Sequence, residues 1–108
     1  MIAVIFEVEP YPEHKKAYLD MAASLRESLE AVEGFISIER FQSMTKEGRI
    51  LSLSFWETEA AISQWREHLQ HQIAQQEGKD RLFRDYRIRV ADVVRDYGMG
   101  KTPNTDTH

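Results

Sequence analysis

Residues 55–76, FWETEAAISQWREHLQHQIAQQ, carry the end of a strand directly into an amphipathic helix, and the rest of the chain can be read outward from that junction. Thr58 is placed to cap the helix, with Glu57 and Glu59 at its positive end. Ala61, Ile62, Trp65, Leu69 and Ile73 recur at helical spacing as an apolar stripe, and Gly78 ends the pattern. Trp65, His68, His71 and Gln75 fall three or four residues apart, so a helix of about 3.6 residues per turn gathers them along one flank. Such a flank is either one wall of a pocket or a core tryptophan beside solvated histidines.

Upstream of the junction, residues 49–56 form a strand, joined through the polar turn TKEG at 45–48 to a strand over 35–44, FISIERFQSM. Residues 2–9 alternate, with Ile2, Val4, Phe6 and Val8 on one side and Ala3, Ile5, Glu7 and Glu9 on the other. Pro10 and Pro12 stop that strand. A first helix follows from Glu13, with Tyr18, Met21, Ala22, Leu25, Leu29 and Val32 at intervals of three or four, and Gly34 terminates it. Downstream, a short piece over 79–83 leads to a last strand over 84–96, where Tyr86, Ile88, Val90 and Val94 share a face.

The order β-α-β-β-α-β predicts an α+β, ferredoxin-like fold in which two helices cover one face of a four-stranded antiparallel sheet. One domain over 1–97 is expected, followed by a flexible tail over 98–108, GMGKTPNTDTH, which leaves His108 out of any site. The uncovered sheet face would carry Ala3, Ile5, Glu7 and Glu9 beside Arg87, Arg89, Ala91, Val93 and Arg95. That mixed surface suits burial against a second copy, with Glu7 and Glu9 pairing across strands with Arg87 and Arg89.

Composition narrows the function classes. The 108 residues are 42% hydrophobic and 30% charged, with a net charge of −4 and dispersed basic residues. Nucleic acid is not an expected partner, because binding it requires a basic stripe that displaces counterions. No window approaches the apolar length of a membrane span and no leader pattern opens the chain, so a cytoplasmic location without membrane contact is expected. With no cysteine, a disulfide framework, a thiolate zinc site and a cysteine nucleophile are excluded.

The FWET junction, the helix AAISQWREHLQHQIAQQEG, the closing strand DYRIRVADVVRDY and the early GFISIERFQS together resemble the antibiotic-biosynthesis monooxygenase domain, over about residues 1 to 97. The resemblance implies a homodimer, a dimeric α/β barrel, with a pocket in each subunit between sheet and helices. Some members oxygenate aromatic substrates with O₂, without metal or flavin, and form quinones. Haem-degrading relatives instead use an asparagine on the first strand, a tryptophan early in the second helix and a histidine near its end. Trp65 matches the tryptophan, but Phe6 stands at the asparagine position and Gln75 near the histidine position. Haem is therefore disfavoured and no cofactor is expected.

Three readings follow. In the first, a cofactor-independent monooxygenase deprotonates a small aromatic or enolic substrate whose anion reacts with O₂. His71 or His68 would be the base, Phe6, Trp56, Trp65 and Tyr86 the aromatic walls, Ser52 and Ser54 the polar donors, and Gln75 a neighbour on the His71 flank. The second is a haem or tetrapyrrole binder with His71 or His68 as axial ligand. The third is a non-catalytic, small-molecule-binding dimer. A metal site is disfavoured, since nothing near His68 and His71 completes a ligand set.

Overall fold

The computed structural model describes residues 1–77 and 82–99, with side chains for 1–71 and 82–99. The expected end of the second helix at Gly78, most of the connecting piece, the Gln75 side chain and all but the first two residues of the tail lie outside them. The chain runs β1 (Ile2–Pro10), α1 (Lys15–Glu30), β2 (Phe35–Gln42), β3 (Ile50–Trp56), α2 (Glu59–Glu77) and β4 (Phe83–Asp92), with a short 3-10 turn over Pro12–His14. The four strands lie in the order β2-β3-β1-β4 and every pair is antiparallel, the arrangement expected of the ferredoxin-like class.

Local chemistry sets the boundaries. Thr58 Oγ1 accepts the backbone N–H of Ala61 at 3.3 Å, so α2 starts on the expected cap. Gly34 turns the chain from α1 into β2 at φ 93°, and its carbonyl accepts the Glu57 N–H at 2.8 Å, tying that turn to the start of α2. The last strand is shorter than the expected 84–96. Its ladder runs out where Asp92 meets Ile2 and Val93 N–H bonds Met1 O, because β1 offers nothing further to pair with.

Alternation divides the sheet cleanly. Toward the helices point Ile2, Phe6 and Val8 from β1, and Ile50, Ser52, Ser54 and Trp56 from β3, all buried. One cluster joins Phe6, Val8, Ile50 and Phe83 to Tyr18, Ala22, Leu25 and Leu69 from the helices, while a second joins Ile2 and Trp56 to Leu29 and Ile62. Trp65 packs against both, so it marks the seam between them.

The opposite face has no helix. Glu7 binds Arg49 and Arg89, and Glu9 lies within 4 Å of Lys46, Arg49 and Arg84, while Arg49 also reaches Asp85. The expected pairing is thus corrected in part. Arg89 takes Glu7 diagonally across the ladder, and no ion pair of Arg87 is seen among the described residues, because Arg49, just before β3, and Arg84, on β4, occupy the carboxylates.

Candidate active site

The seam opens into a cleft between sheet and helices. Its floor is two rungs fixed by strand register. Arg40, Ser52, Phe6 and Ile88 lie side by side across β2, β3, β1 and β4, and next to them run Ile38, Ser54, Val4 and Val90. The roof comes from α1 (Tyr18, Met21, Ala22, Leu25, Leu29) and α2 (Ile62, Trp65, Arg66, Leu69). About 60 Å³ is open to the centre of a water-sized sphere, several times the room one water requires, and about 700 Å³ is empty when the open mouth is counted.

The polar groups of the cleft lie mainly on its β2–β3 side, with Arg66 on α2 near Val90 as the exception. Arg40 Nη2 donates to the Ala22 carbonyl on α1 at 3.2 Å, which holds the guanidinium beneath that helix, and Arg40 Nε is buried with no acceptor. Tyr18 is almost wholly buried, at 2% exposed. Burial pushes its phenol above the ordinary 10.0, and the Arg40 guanidinium, through its charge and a hydrogen bond, pulls the other way. Tyr18 is therefore a neutral hydroxyl at neutral pH. Ser54 Oγ accepts the indole N–H of Trp56 at 2.9 Å, leaving its own proton to donate, and Ser52 lies beside Arg40 on the floor.

Of the residues singled out by sequence, Phe6, Ser52, Ser54 and Trp65 line this cleft. Trp56 does not. It is fully buried against Phe35, rings edge-on at 5.3 Å, and supports the floor from outside the cleft. Tyr86 stands 46% exposed beyond the lining, edge-on to Phe6 at 5.9 Å. The expected position of the histidines is corrected: His68 and His71 are both exposed and neither lines the cleft. The roof is a narrow stripe centred on Ile62, Trp65 and Leu69, and at about 100° per residue His68 lies about 120° and His71 about 180° from Ile62. His68 packs instead over the outer side of Trp65, ring centres 5.6 Å apart.

Tyr18, Arg40 and Arg66 were missed. Arg40 carried a readable signal. In the strand FISIERFQ it continues the face of Ile36 and Ile38, and a charge that prolongs an apolar alternation calls for a reason. Tyr18 was legible only as part of an apolar stripe.

The family model described as antibiotic biosynthesis monooxygenase matches residues 1–77, which supply every lining residue except Ile88 and Val90. The chain belongs to the antibiotic biosynthesis monooxygenase family. Over 107 residues, 99% of its length, it is 39% identical to the jasmonate monooxygenase ABM of Pyricularia oryzae, of which it covers 50%. The chain spans about half the length of the curated relatives it matches. Among solved structures, Rv0793 from Mycobacterium tuberculosis is similar with a TM-score of 0.73 at 16% identity, covering 90% of this chain and 98% of that one. MhuD, in a variant with two manganese protoporphyrin IX molecules bound per active site, gives 0.68 at 19% identity, covering 91% and 99%. At such identities the likeness is one of fold.

The fold is thus shared with a protein solved with a tetrapyrrole bound. Among the described lining residues of the cleft no imidazole is present, and the two histidines of α2 are outside it. The donors it does offer, hydroxyls and guanidinium groups, suit an organic anion rather than iron.

Proposed function

We propose that the protein is a monooxygenase that uses O₂ on a small aromatic or enolic substrate held in this cleft. The observation that carries the reading is an apolar cleft in which the hydroxyls of Tyr18, Ser52 and Ser54 lie beside the Arg40 guanidinium, in a member of this family. An electron-rich anion reacts with O₂ more readily than its conjugate acid, and a preorganised polar corner in an apolar cavity favours the anion. Tyr18, Ser52 and Ser54 supply hydroxyl donors and Arg40 the positive charge, while Phe6 and Trp65 present apolar faces to the substrate body.

The stoichiometry closes without an added reductant. A phenol, C₆H₆O in the simplest case, and O₂ give a quinone, C₆H₄O₂, and water, the substrate furnishing all four electrons. The jasmonate monooxygenase relative extends the candidate substrates to enolisable ketones, where an α-CH₂ and O₂ give an α-dicarbonyl and water, the substrate again furnishing all four electrons. Association of two copies through the helix-free face belongs to the same reading.

Oxygen uptake across phenols, hydroxyquinones and jasmonate, with metal-stripped protein and ¹⁸O₂, tests it. Uptake with one labelled oxygen in the organic product is expected. Absence of uptake across the whole panel, from protein shown to be folded, would overturn the assignment.

A further inference from the structure

Among the described residues Arg40 is a cation without a counter-ion: no carboxylate lies within ion-pair distance of it, its Nε has no acceptor, and the fixed partners of its guanidinium are a backbone carbonyl and a neutral phenol. Its sequence neighbour Glu39 points to the other face of the sheet by strand alternation. A charge left in an apolar cleft without an opposite charge is costly, and a bound anion would relieve that. Arg66, exposed on α2, also lines the cleft, and no ion pair of Arg66 is seen among the described residues. The chain has 18 acidic residues and a net charge of −4, yet none of the described lining residues is acidic. The cleft is thus a local positive field on an acidic protein, the arrangement that draws in small anions.

Register adds a length. Arg40 and Phe6 occupy the same rung two strands apart, and Ile88 lies one strand further. With strands about 4.8 Å apart, the backbone positions of the cation and of the apolar end are separated by about 10 to 14 Å. A ligand that spans this rung has its charge at one end and its hydrocarbon body at the other.

We propose that Arg40 anchors the carboxylate of a small, otherwise apolar monocarboxylic acid, whose body lies over Phe6 and Ile88 beneath Trp65. The carboxylate is a permanent handle on the ligand; in an acid so held Arg40 is engaged by the handle, and the anion formed during reaction is left to the hydroxyls of Tyr18, Ser52 and Ser54. This deepens the oxygenase reading and rests on the same cleft, but binding alone tests it.

The probes are jasmonate, 2-naphthoate and octanoate, each compared with its methyl ester by calorimetry under argon so that no turnover intervenes. In the native protein at least one acid should bind ten-fold or more tighter than its ester, a comparison that needs no variant. Arg40→Gln should reduce that acid to the affinity of its ester, and Arg40→Lys should restore part of the difference, since it keeps the charge but loses the planar fork. Esters that bind as well as their acids, acid binding undiminished in Arg40→Gln, or no acid binding at all would overturn the proposal. Acid selectivity without oxygen uptake would sink the oxygenase reading alone, and oxygenation without acid selectivity would sink only the anchor.

Discussion

The two tryptophans, nine residues apart, have different work to do. Trp56 is wholly enclosed and its indole N–H is satisfied by Ser54, so Trp56→Ala leaves a cavity and an unpaired hydroxyl. A loss of about 3 to 5 kcal/mol is expected. Trp65 is half-buried at the roof of a cleft that already holds space, so Trp65→Ala should cost about 2 kcal/mol while weakening ligand binding more than stability. Urea midpoints of the two variants check the order, and equal losses would mean that Trp65 is core rather than roof. Tyr18 gives a pH prediction with a definite sign. Its folded-state pKa is raised by burial, so above about pH 10 the unfolded chain releases this proton before the folded one does. Stability contributed by the neutral phenol is complete below the unfolded value and is lost as pH rises through the folded one. Alkaline denaturation of Tyr18→Phe should show a shallower fall over that window than the native protein, and an unchanged slope would deny the burial effect. At this scale the sequence revealed apolar identity well and polar purpose poorly. Phe6 and Trp65 followed from their periodicities, whereas pairing Tyr18 with Arg40 requires knowing which strand lies beneath which helix.

Between elements, Gly34 is where α1, β2 and α2 meet. It has a positive φ of 93°, and a Cβ there would stand 2.9 Å from the Ala61 Cβ on α2. Gly34→Ala therefore combines left-handed strain with a clash against a helix whose start is tied to the same turn through Glu57, and a loss of about 2 to 4 kcal/mol is expected. Gly48 has φ 88° but open space around it, so Gly48→Ala should lose only the strain, about 1 to 2 kcal/mol. Thermal melts of the two variants separate strain from contact, and a Gly48 variant as damaged as the Gly34 variant would refute the distinction. Elements were the most legible scale because their signals are local: the Thr58 cap, the glycine turns and the period-two alternation of β1 each lie within a few residues. The end of β4 was not legible for the complementary reason. Its apolar alternation continues to Val94, but a strand lasts only as long as its partner, and β1 begins at Ile2.

At the scale of the whole molecule the two sheet faces pose unequal problems. The helix face is closed by two clusters and a cleft, whereas the other face exposes Ile5, Leu51, Leu53 and Phe55 between the Glu7–Arg49–Arg89 cluster and the Ala3–Ala91 end, under no helix. Their neighbours on adjacent strands leave these side chains only half-buried, and such a mixed face, with Leu51 beside Glu7 and Ile5 beside Arg89, suits burial against a second copy. The sequence placed Ile5, Ala91 and Val93 on this face but not Leu51, Leu53 and Phe55, whose orientation depends on Ser52 and Ser54 pointing inward. Native protein should sediment at twice the chain mass at micromolar concentration. Leu53→Arg tests the face directly, because residue 53 sits mid-strand on β3 and points away from the cleft floor formed by Ser52 and Ser54. The variant should fall to one chain mass while keeping a cleft that still binds its ligand, since burying a guanidinium against its own symmetry mate places like charges together in a desolvated interface. A native protein of one chain mass would refute the dimer, and a Leu53→Arg variant that remains at twice that mass would assign the second copy to some other surface.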